Sequence, residues 1–183
     1  MRLAQPLART RARLAVALAR RRVTLGFLVA GVVLWLAQPT WRTIAAGALV
    51  AAAGEAIRLW AAGHVEKSRE VTRSGPYRFT RHPLYLGSSI IGAGIAIASG
   101  SLAVAAVIVL YLATTITVAI RAEETHLRDK FGGEYDAYAQ RMAPPMVRAF
   151  SAARALGNRE HHTVAGLLLA LALLALKVQL SIR

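Results

Sequence analysis

The sequence of 183 residues contains no cysteine. This absence excludes disulfide bonds, thiolate zinc sites and a cysteine nucleophile. The chain is also poor in acidic residues, with 9 Asp and Glu against 23 Lys and Arg, and only 7 % of it is aromatic. Apolar residues are in excess instead, because hydrophobic residues make up 56 % of the chain, more than a soluble domain carries. The composition therefore predicts a membrane protein.

Five segments approach the roughly 20 apolar residues that a helix needs to cross a bilayer. They are 24–41, 43–62, 84–99, 101–120 and 163–182. The fourth segment carries no charge, whereas the second is rich in alanine and contains Glu55. We expect an all-α fold in which residues 23–183 form one membrane-embedded domain, a polytopic bundle of about five transmembrane helices.

The basic residues are distributed unevenly along the chain. Seven of the 23 lie in 1–22, five in 63–83 and seven in 121–160. The two short turns, near 38–42 and at Gly100, hold only Arg42. By the positive-inside rule, this asymmetry predicts that the N-terminus and both polar segments are cytoplasmic and that the C-terminus lies on the opposite side. The positive charge is thus a signal of topology, and nucleic acid is not an expected partner.

Residues 1–22 have the pattern of a basic amphipathic helix. Leucines such as Leu3 and Leu18 fall within one narrow arc of a helical wheel, and arginines such as Arg2 and Arg20 fall opposite. Such a helix lies in the membrane interface and attracts anionic lipid head groups. We therefore expect this segment to be an interfacial anchor.

Two features inside the predicted spans have a structural and a functional interpretation. Glu55 is followed one helical turn later by Arg58, and we interpret the two as a structural ion pair, although an acid inside a span is also a functional hypothesis. Gly92 and Gly94 lie in the third span. Because the strand–turn–helix setting of a nucleotide-binding fingerprint is missing, these glycines indicate close helix packing.

A polar segment with the sequence RSGPYRFTRHPLYLG separates the second and third predicted spans, at residues 73–87. Pro76 and Pro83 each fix their own φ, remove a backbone donor and disfavour helix at the preceding residue. The segment is therefore expected to hold a defined shape that directs side chains such as Tyr77 and His82 inward or towards a ligand. A membrane anchor alone has no use for such a segment.

A second polar block, residues 121–141, follows the fourth predicted span. Glu123 and Glu124 lie at the end of that span, on the same side of the membrane as the His82 segment. The block also has the pattern of a solvated amphipathic helix with surface ion pairs, which is the structural alternative. We expect instead that the two acids and the His82 segment converge in a polar pocket above a hydrophobic groove.

The two blocks GPYRFTRHPLYLG and EETHLRDKFGGEYDAYAQR, separated by a predicted helical hairpin, resemble the isoprenylcysteine carboxyl methyltransferase family and the related phospholipid methyltransferases. The resemblance covers residues 60–141. It implies an integral membrane enzyme that binds S-adenosylmethionine in a cytoplasmic pocket formed by residues 63–83 and 121–160. The implied reaction is methyl transfer to a lipophilic substrate at the cytoplasmic interface, with carboxyl O-methylation of an isoprenylcysteine-like or related lipid acid as the first expectation.

The resemblance also implies roles for individual residues of this chain. The implied cofactor-binding set is Arg69, Glu70, Val71, Thr72, Tyr77, His82, Pro83, Leu84, Tyr85, Glu123 and Glu124. The implied catalytic set is His82, Glu124 and Arg121, of which Arg121 would meet an anionic group of the substrate. A carboxylate nucleophile needs no general base, whereas an amine must be neutral, and His82 or a glutamate would then take its proton.

Three other functions fit the same residues. The first is phospholipid N-methylation, and the second is an NADPH-dependent enzyme like the sterol reductases, which the pair of acids disfavours because NADPH is a polyanion. The third is a non-catalytic membrane protein that binds anionic lipid through its arginines, which leaves the His82 and Glu124 blocks without a purpose. No metal site is expected, because the adjacent His161 and His162 do not point the same way on a helix and have no evident third ligand.

Overall fold

The computed structural model describes residues 26–181, so the predicted interfacial helix at 1–22 lies outside the described residues. In the described part all regular secondary structure is helical, and the prediction of an all-α fold is confirmed. The helices are α1 (Gly26–Leu36), α2 (Trp41–Ala62), α3 (Pro83–Ser99), α4 (Leu102–Phe131), α5 (Gly133–Ala139), α6 (Ala152–Gly157) and α7 (Glu160–Ser181). A short 3₁₀ turn, Gly75–Arg78, precedes α3.

Three helices, α2, α4 and α7, are long and apolar enough to cross a membrane by length and composition, while α1 and α3 are shorter apolar helices. The 17 residues of α3 extend about 26 Å, close to the ~30 Å thickness of a bilayer core. Large apolar side chains such as Leu49, Leu110 and Leu168 are exposed on the outside of the bundle. This distribution fits a bundle whose surface contacts lipid.

Helices α2 and α3 pack closely because small residues face each other along both. A Cβ atom added at Gly94 would lie 2.6 Å from the backbone nitrogen of Ala51, and one added at Gly54 would lie 2.7 Å from the carbonyl oxygen of Gly87. Gly47 meets the backbone of Gly94 in the same way. The predicted role of Gly94 in close helix packing is confirmed, and the alanine-rich second span is the helix that provides the opposing surface.

The bundle has two different ends. At one end, the α1–α2 turn meets the α3–α4 turn, where the backbone N–H of Gln38 donates to the carbonyl of Ser99 at 2.7 Å and Gly100 adopts a φ of 64°. At this same end the ammonium group of Lys177 donates to the carbonyls of Leu34 and Trp35, in the last turn of α1. A cation at a helix C-terminus is favourable, so the lysine closes this end of α1.

Helix α4 continues well past the end of the predicted fourth span. Its 30 residues extend about 45 Å, which exceeds the ~30 Å of a bilayer core. The apolar part, up to residue 120, is followed without a break by the polar part that carries Glu123 and Glu124. The helix ends where Gly132 adopts a φ of 51°, and α5 then turns back along it.

Candidate active site

The polar end of the bundle is formed by the C-terminus of α2, the N-termini of α3 and α7, and the polar part of α4. The segment between α2 and α3 closes this end, and it is shaped by its prolines: Pro76 is the second residue of the 3₁₀ turn, and Pro83 is the first residue of α3. Tyr77 is thereby buried, and its carbonyl accepts a hydrogen bond from the hydroxyl of Tyr138 at 2.9 Å. The segment therefore holds a defined shape against α5.

A cavity of about 470 Å³ lies at this end, within the usual size range of small-molecule sites. Its walls come from both polar blocks of the sequence and from the start of α7. They include Arg58, Glu66, Lys67, Ser68, Glu70, Val71, Thr72, Tyr77, Arg81, His82, Pro83, Leu84, Tyr85, Glu123, His126, Tyr135, Tyr138, Asn158, Arg159, Glu160 and Thr163.

Nine of the twelve residues implied by the resemblance line this cavity. They are Glu70, Val71, Thr72, Tyr77, His82, Pro83, Leu84, Tyr85 and Glu123. Arg69, Arg121 and Glu124 are not among the lining residues. The side chain of Arg69 is 82 % exposed, and Arg121 is exposed on α4.

Glu124 contacts cations rather than the cavity. Its carboxylate accepts a hydrogen bond from His82 Nε2 at 3.0 Å and lies 3.1 Å from Arg81 Nη1 and 3.5 Å from Arg128 Nη1. The hydrogen bond from His82, together with the two arginines, holds the pKa of this carboxyl group below its usual range despite partial burial. Glu124 therefore fixes the orientation of His82, which does line the cavity.

Glu70 is held by a residue far away in the sequence. Arg148 donates two hydrogen bonds of 2.6 Å to its two carboxylate oxygens, a bidentate pair. Burial raises the pKa of the Glu70 carboxyl group, but the hydrogen bonds from Arg148 and Thr72 outweigh it, so the net pKa lies below the usual range. The pair fastens the segment before α6 to the wall of the cavity.

Helix α6 and the residue that follows it cover the C-terminal end of α2, which has no basic residue in its last turn. Arg154 donates to the carbonyl of Gly63 at 2.6 Å, and Asn158 donates to the carbonyls of Ala62 and Val65 at 2.9 and 3.1 Å. These are the carbonyls that a helix end leaves without an intrahelical partner. Residues 148–158 thus hold the cavity wall by hydrogen bonds to backbone carbonyls as well as by the ion pair with Glu70.

Arg58 forms a largely buried charged contact in the cavity wall. The predicted pair with Glu55 is present at 3.8 Å, but the shorter contact is a hydrogen bond of 2.6 Å from Arg58 Nε to Glu160. Arg58 also donates to the hydroxyls of Ser88 and Thr163, at 2.5 and 3.1 Å. The arginine therefore ties α2 to α3 and α7 directly beneath the cavity.

Burial keeps three tyrosines of the cavity wall protonated at neutral pH. Burial raises the pKa of the Tyr77 phenol well above its usual range, and burial raises the pKa of Tyr138 to about 12. These phenols can donate hydrogen bonds or stack, but they do not act as general bases near pH 7. Burial also raises the pKa of the Tyr135 phenol.

An apolar groove of about 290 Å³ lies further along α3 and α4, on the membrane side of the cavity. Its walls are Ser89, Gly92, Ala93, Ala96, Ile108, Val109, Leu112, Ala113, Ile116 and Thr117. Tyr85, which lines the cavity, and Ser89, which lines the groove, are one helical turn apart on α3, and Ser89 donates a hydrogen bond to the Tyr85 carbonyl. The polar cavity and the apolar groove therefore share one helix face.

None of residues 148–163 was among the individual site residues that the resemblance implied. Asn158, Arg159, Glu160 and Thr163 nevertheless supply one wall of the cavity; the first three lie at the end of the implied pocket segment 121–160, and Thr163 lies beyond it. The run of polar residues just before the last apolar segment was the one available signal. Among the described residues, no group of three or more His, Asp or Glu side chains could hold a metal ion.

Comparison with known proteins gives one family and several partial relatives. The model of the phospholipid methyltransferase family matches residues 22–134, more than half of the chain. The nickel-cobalt-cadmium resistance protein NccN of Alcaligenes xylosoxydans xylosoxydans is 36 % identical over 86 residues, which are 46 % of this chain and 40 % of that protein. The cobalt-zinc-cadmium resistance protein CzcN of Cupriavidus metallidurans is 37 % identical over 86 residues, 46 % of this chain and 39 % of that protein.

A third relative carries an enzyme name. Methanethiol S-methyltransferase 1 of Bradyrhizobium diazoefficiens is 43 % identical over 68 residues, which are 37 % of this chain and 22 % of that protein. The chain thus spans less than half the length of each of these curated relatives. No solved structure matches the chain.

Proposed function

Because the chain belongs to the phospholipid methyltransferase family, we propose that it is an integral membrane methyltransferase that uses S-adenosylmethionine to methylate a lipophilic acceptor. The observation that carries this proposal is the cavity at the polar end of the bundle, which shares the face of α3 with an apolar groove. A polar cofactor site next to a groove for an apolar chain is the arrangement that such a reaction needs. The enzyme name of the third relative supports the same reaction type.

The chemistry of the cavity suits this cofactor. S-adenosylmethionine carries a sulfonium, an ammonium and a carboxylate, and the cavity walls contain side chains of both charges as well as the aromatic rings of Tyr77 and Tyr85. Aromatic rings attract cations and stack on an adenine base. The carboxylate of Glu123 matches the ammonium group of S-adenosylmethionine, whereas NADPH carries no such cationic group.

The protein contributes mainly position and desolvation to such a reaction. When bound, S-adenosylmethionine supplies an electrophilic methyl group, whose transfer is an in-line displacement. The cavity residues would hold the donor and exclude water, while the groove would hold the apolar part of the acceptor. Correct positioning of two reactants contributes several kcal/mol or more. We therefore assign to this chain's side chains the roles of binding and orientation.

We propose a carboxylate as the acceptor, so the reaction is O-methylation of a lipid acid. A carboxylate is already anionic and needs no general base. The surroundings favour this choice, because Tyr77 and Tyr138 stay protonated and His82 Nε2 is occupied by Glu124. A phospholipid amine is the second candidate, favoured by the family description, and Glu123 would then be available to take its proton.

We further propose that the cavity faces the cytoplasm. The segments that surround it, 63–83 and 121–160, carry twelve of the 23 basic residues, whereas the opposite end carries Arg42 and Lys177 among residues 26–181. This asymmetry is the pattern of cytoplasmic loops. The C-terminal end of α7 would then lie on the other side of the membrane.

The test is ligand binding by the full-length chain, purified in detergent and titrated by calorimetry with S-adenosylmethionine, S-adenosylhomocysteine and NADPH. We expect both adenosyl compounds to bind and NADPH not to bind. Binding of NADPH without binding of the adenosyl compounds would contradict the methyltransferase proposal. If neither the adenosyl compounds nor NADPH binds, a non-catalytic membrane protein is favoured. Methyl label followed into lipid acids, phospholipid amines and small thiols then identifies the acceptor.

A further inference from the structure

Three charged side chains that line the cavity have no ion-pair or hydrogen-bond partner among residues 26–181. They are Lys67, Glu123 and Arg159. The other charged groups of the walls are satisfied within the protein, in the pairs Arg58–Glu160, Arg81–Glu124, Arg154–Glu66 and Arg148–Glu70. The cavity therefore offers two free positive charges and one free negative charge to a ligand.

The basic side chains Arg81 and His82, which also line the cavity, are already engaged. His82 and Arg81 both contact Glu124, at 3.0 and 3.1 Å. A ligand carboxylate at that position would compete with Glu124 for them, and the displaced carboxylate would be left partly buried without partners. A ligand carboxylate is better accommodated by a cation that has no partner.

Arg159 is held in place for such a contact by its two neighbours. Asn158 is fixed by two hydrogen bonds to the end of α2, and Glu160 is fixed by Arg58. Between them the backbone of Arg159 adopts a left-handed φ of 63°, a conformation that costs about 1–2 kcal/mol in a residue with a Cβ atom. The guanidinium group extends from this fixed backbone position and makes no hydrogen bond within residues 26–181, so all its donors are available.

We propose that Arg159, together with Lys67, binds the carboxylate of the methionine part of S-adenosylmethionine, and that Glu123 binds its ammonium. This inference rests on the proposed function. Two free cations and one free anion in one cavity match the zwitterion of an amino acid. A guanidinium also matches a carboxylate by paired N–H donors, which an ammonium cannot provide.

The experiment compares two probes that differ in this zwitterion. S-adenosylhomocysteine carries the amino-acid part, and 5′-methylthioadenosine keeps the adenosine and the thioether but lacks it. We expect Arg159→Gln and Glu123→Gln each to weaken the binding of S-adenosylhomocysteine about tenfold or more, the usual cost of losing one charged hydrogen bond. Both variants should bind 5′-methylthioadenosine as the unaltered chain does, to within about twofold.

Arg141→Gln is the matched control, because Arg141 is also exposed and left-handed, with a φ of 61°, but does not line the cavity. This variant should bind both probes normally. Decarboxylated S-adenosylmethionine adds a direct test, since its affinity should not depend on Arg159. If Arg159→Gln does not fold, Lys67→Gln provides the same comparison.

The possible failures are distinguishable. If the unaltered chain binds no S-adenosylhomocysteine, the proposed function fails and this inference fails with it. If the unaltered chain binds it and Arg159→Gln binds it equally well, only the assignment of the carboxylate is overturned. If Arg159→Gln loses equal affinity for both probes, Arg159 supports the structure of the cavity and does not contact the carboxylate. This result would also overturn the assignment.

Discussion

At the scale of single residues, the two adjacent acids of α4 have different surroundings. Glu124 contacts His82, Arg81 and Arg128, whereas Glu123 lines the cavity without a partner among the described residues. Their adjacency in the sequence gave no sign of this difference. It arises because neighbours on a helix point about 100° apart, so only one of them can face the His82 segment.

Glu124→Gln should reduce the affinity for S-adenosylhomocysteine about tenfold, because a neutral amide loses the charge that orients His82 and Arg81. The measurement is calorimetry in detergent. Glu134→Gln is the control, since the Glu134 carboxylate is 46 % exposed and does not line the cavity. Equal affinities for the two variants would contradict a positioning role for Glu124.

At the scale of elements, the hydrophobic pattern was sufficient to locate the helices but not to decide their ends. The fourth predicted span stopped at residue 120 because the hydrophobic run stops there, yet α4 runs on to Phe131. A change from apolar to charged residues alters which solvent a helix contacts and leaves its backbone hydrogen bonding unchanged. The break comes only at Gly132, where φ becomes positive.

Gly94→Ala should destabilise the bundle by about 1–3 kcal/mol, because the added methyl group meets the backbone of Ala51 on α2 and the helices must move apart. We expect a lower midpoint of thermal unfolding in detergent. Gly166→Ala on α7 is the matched control, as its methyl group meets nothing within 4 Å. That variant should be as stable as the unaltered chain or slightly more so, since alanine favours helix.

At the scale of the whole molecule, long-range contacts complete the cavity. Arg148 lies 78 residues from Glu70, and Glu160 lies 102 residues from Arg58. Sequence patterns report local structure, so they located the two polar blocks near residues 82 and 124. They did not single out the residues just before α7 that supply another wall, because their contacts depend on how the helices are arranged.

The Glu70–Arg148 pair should make the stability of the protein depend on pH at the acid side. The pKa of Glu70 is lower in the folded state than its ordinary value of 4.5, so the contribution of the pair is complete above that value and is lost as the pH falls through the lower, folded-state pKa. Thermal unfolding in detergent across this range should show a decline on acidification. In Arg148→Gln the stability should be lower at pH 7 and the acid-side decline shallower.

An acid-side decline as steep in Arg148→Gln as in the unaltered chain would assign it to other carboxylates. Arg141→Gln again serves as the control, because Arg141 is exposed and contacts no carboxylate among the described residues. Its pH profile should coincide with that of the unaltered chain.

Helix α4 runs without a break from its apolar part to the part that lines the cavity. A change in the tilt of the apolar part therefore also moves the cavity wall. The apolar half of α4 is set in the lipid, and the half that carries Glu123 has no hinge between it and that anchor. A helix responds to a thinner or thicker bilayer by changing its tilt. In liposomes of short-chain and long-chain phosphatidylcholine, the tilt should move Glu123 relative to His82 on α3, so catalytic rate should vary with membrane thickness. Rates that are independent of chain length would mean that α3 and α4 tilt together.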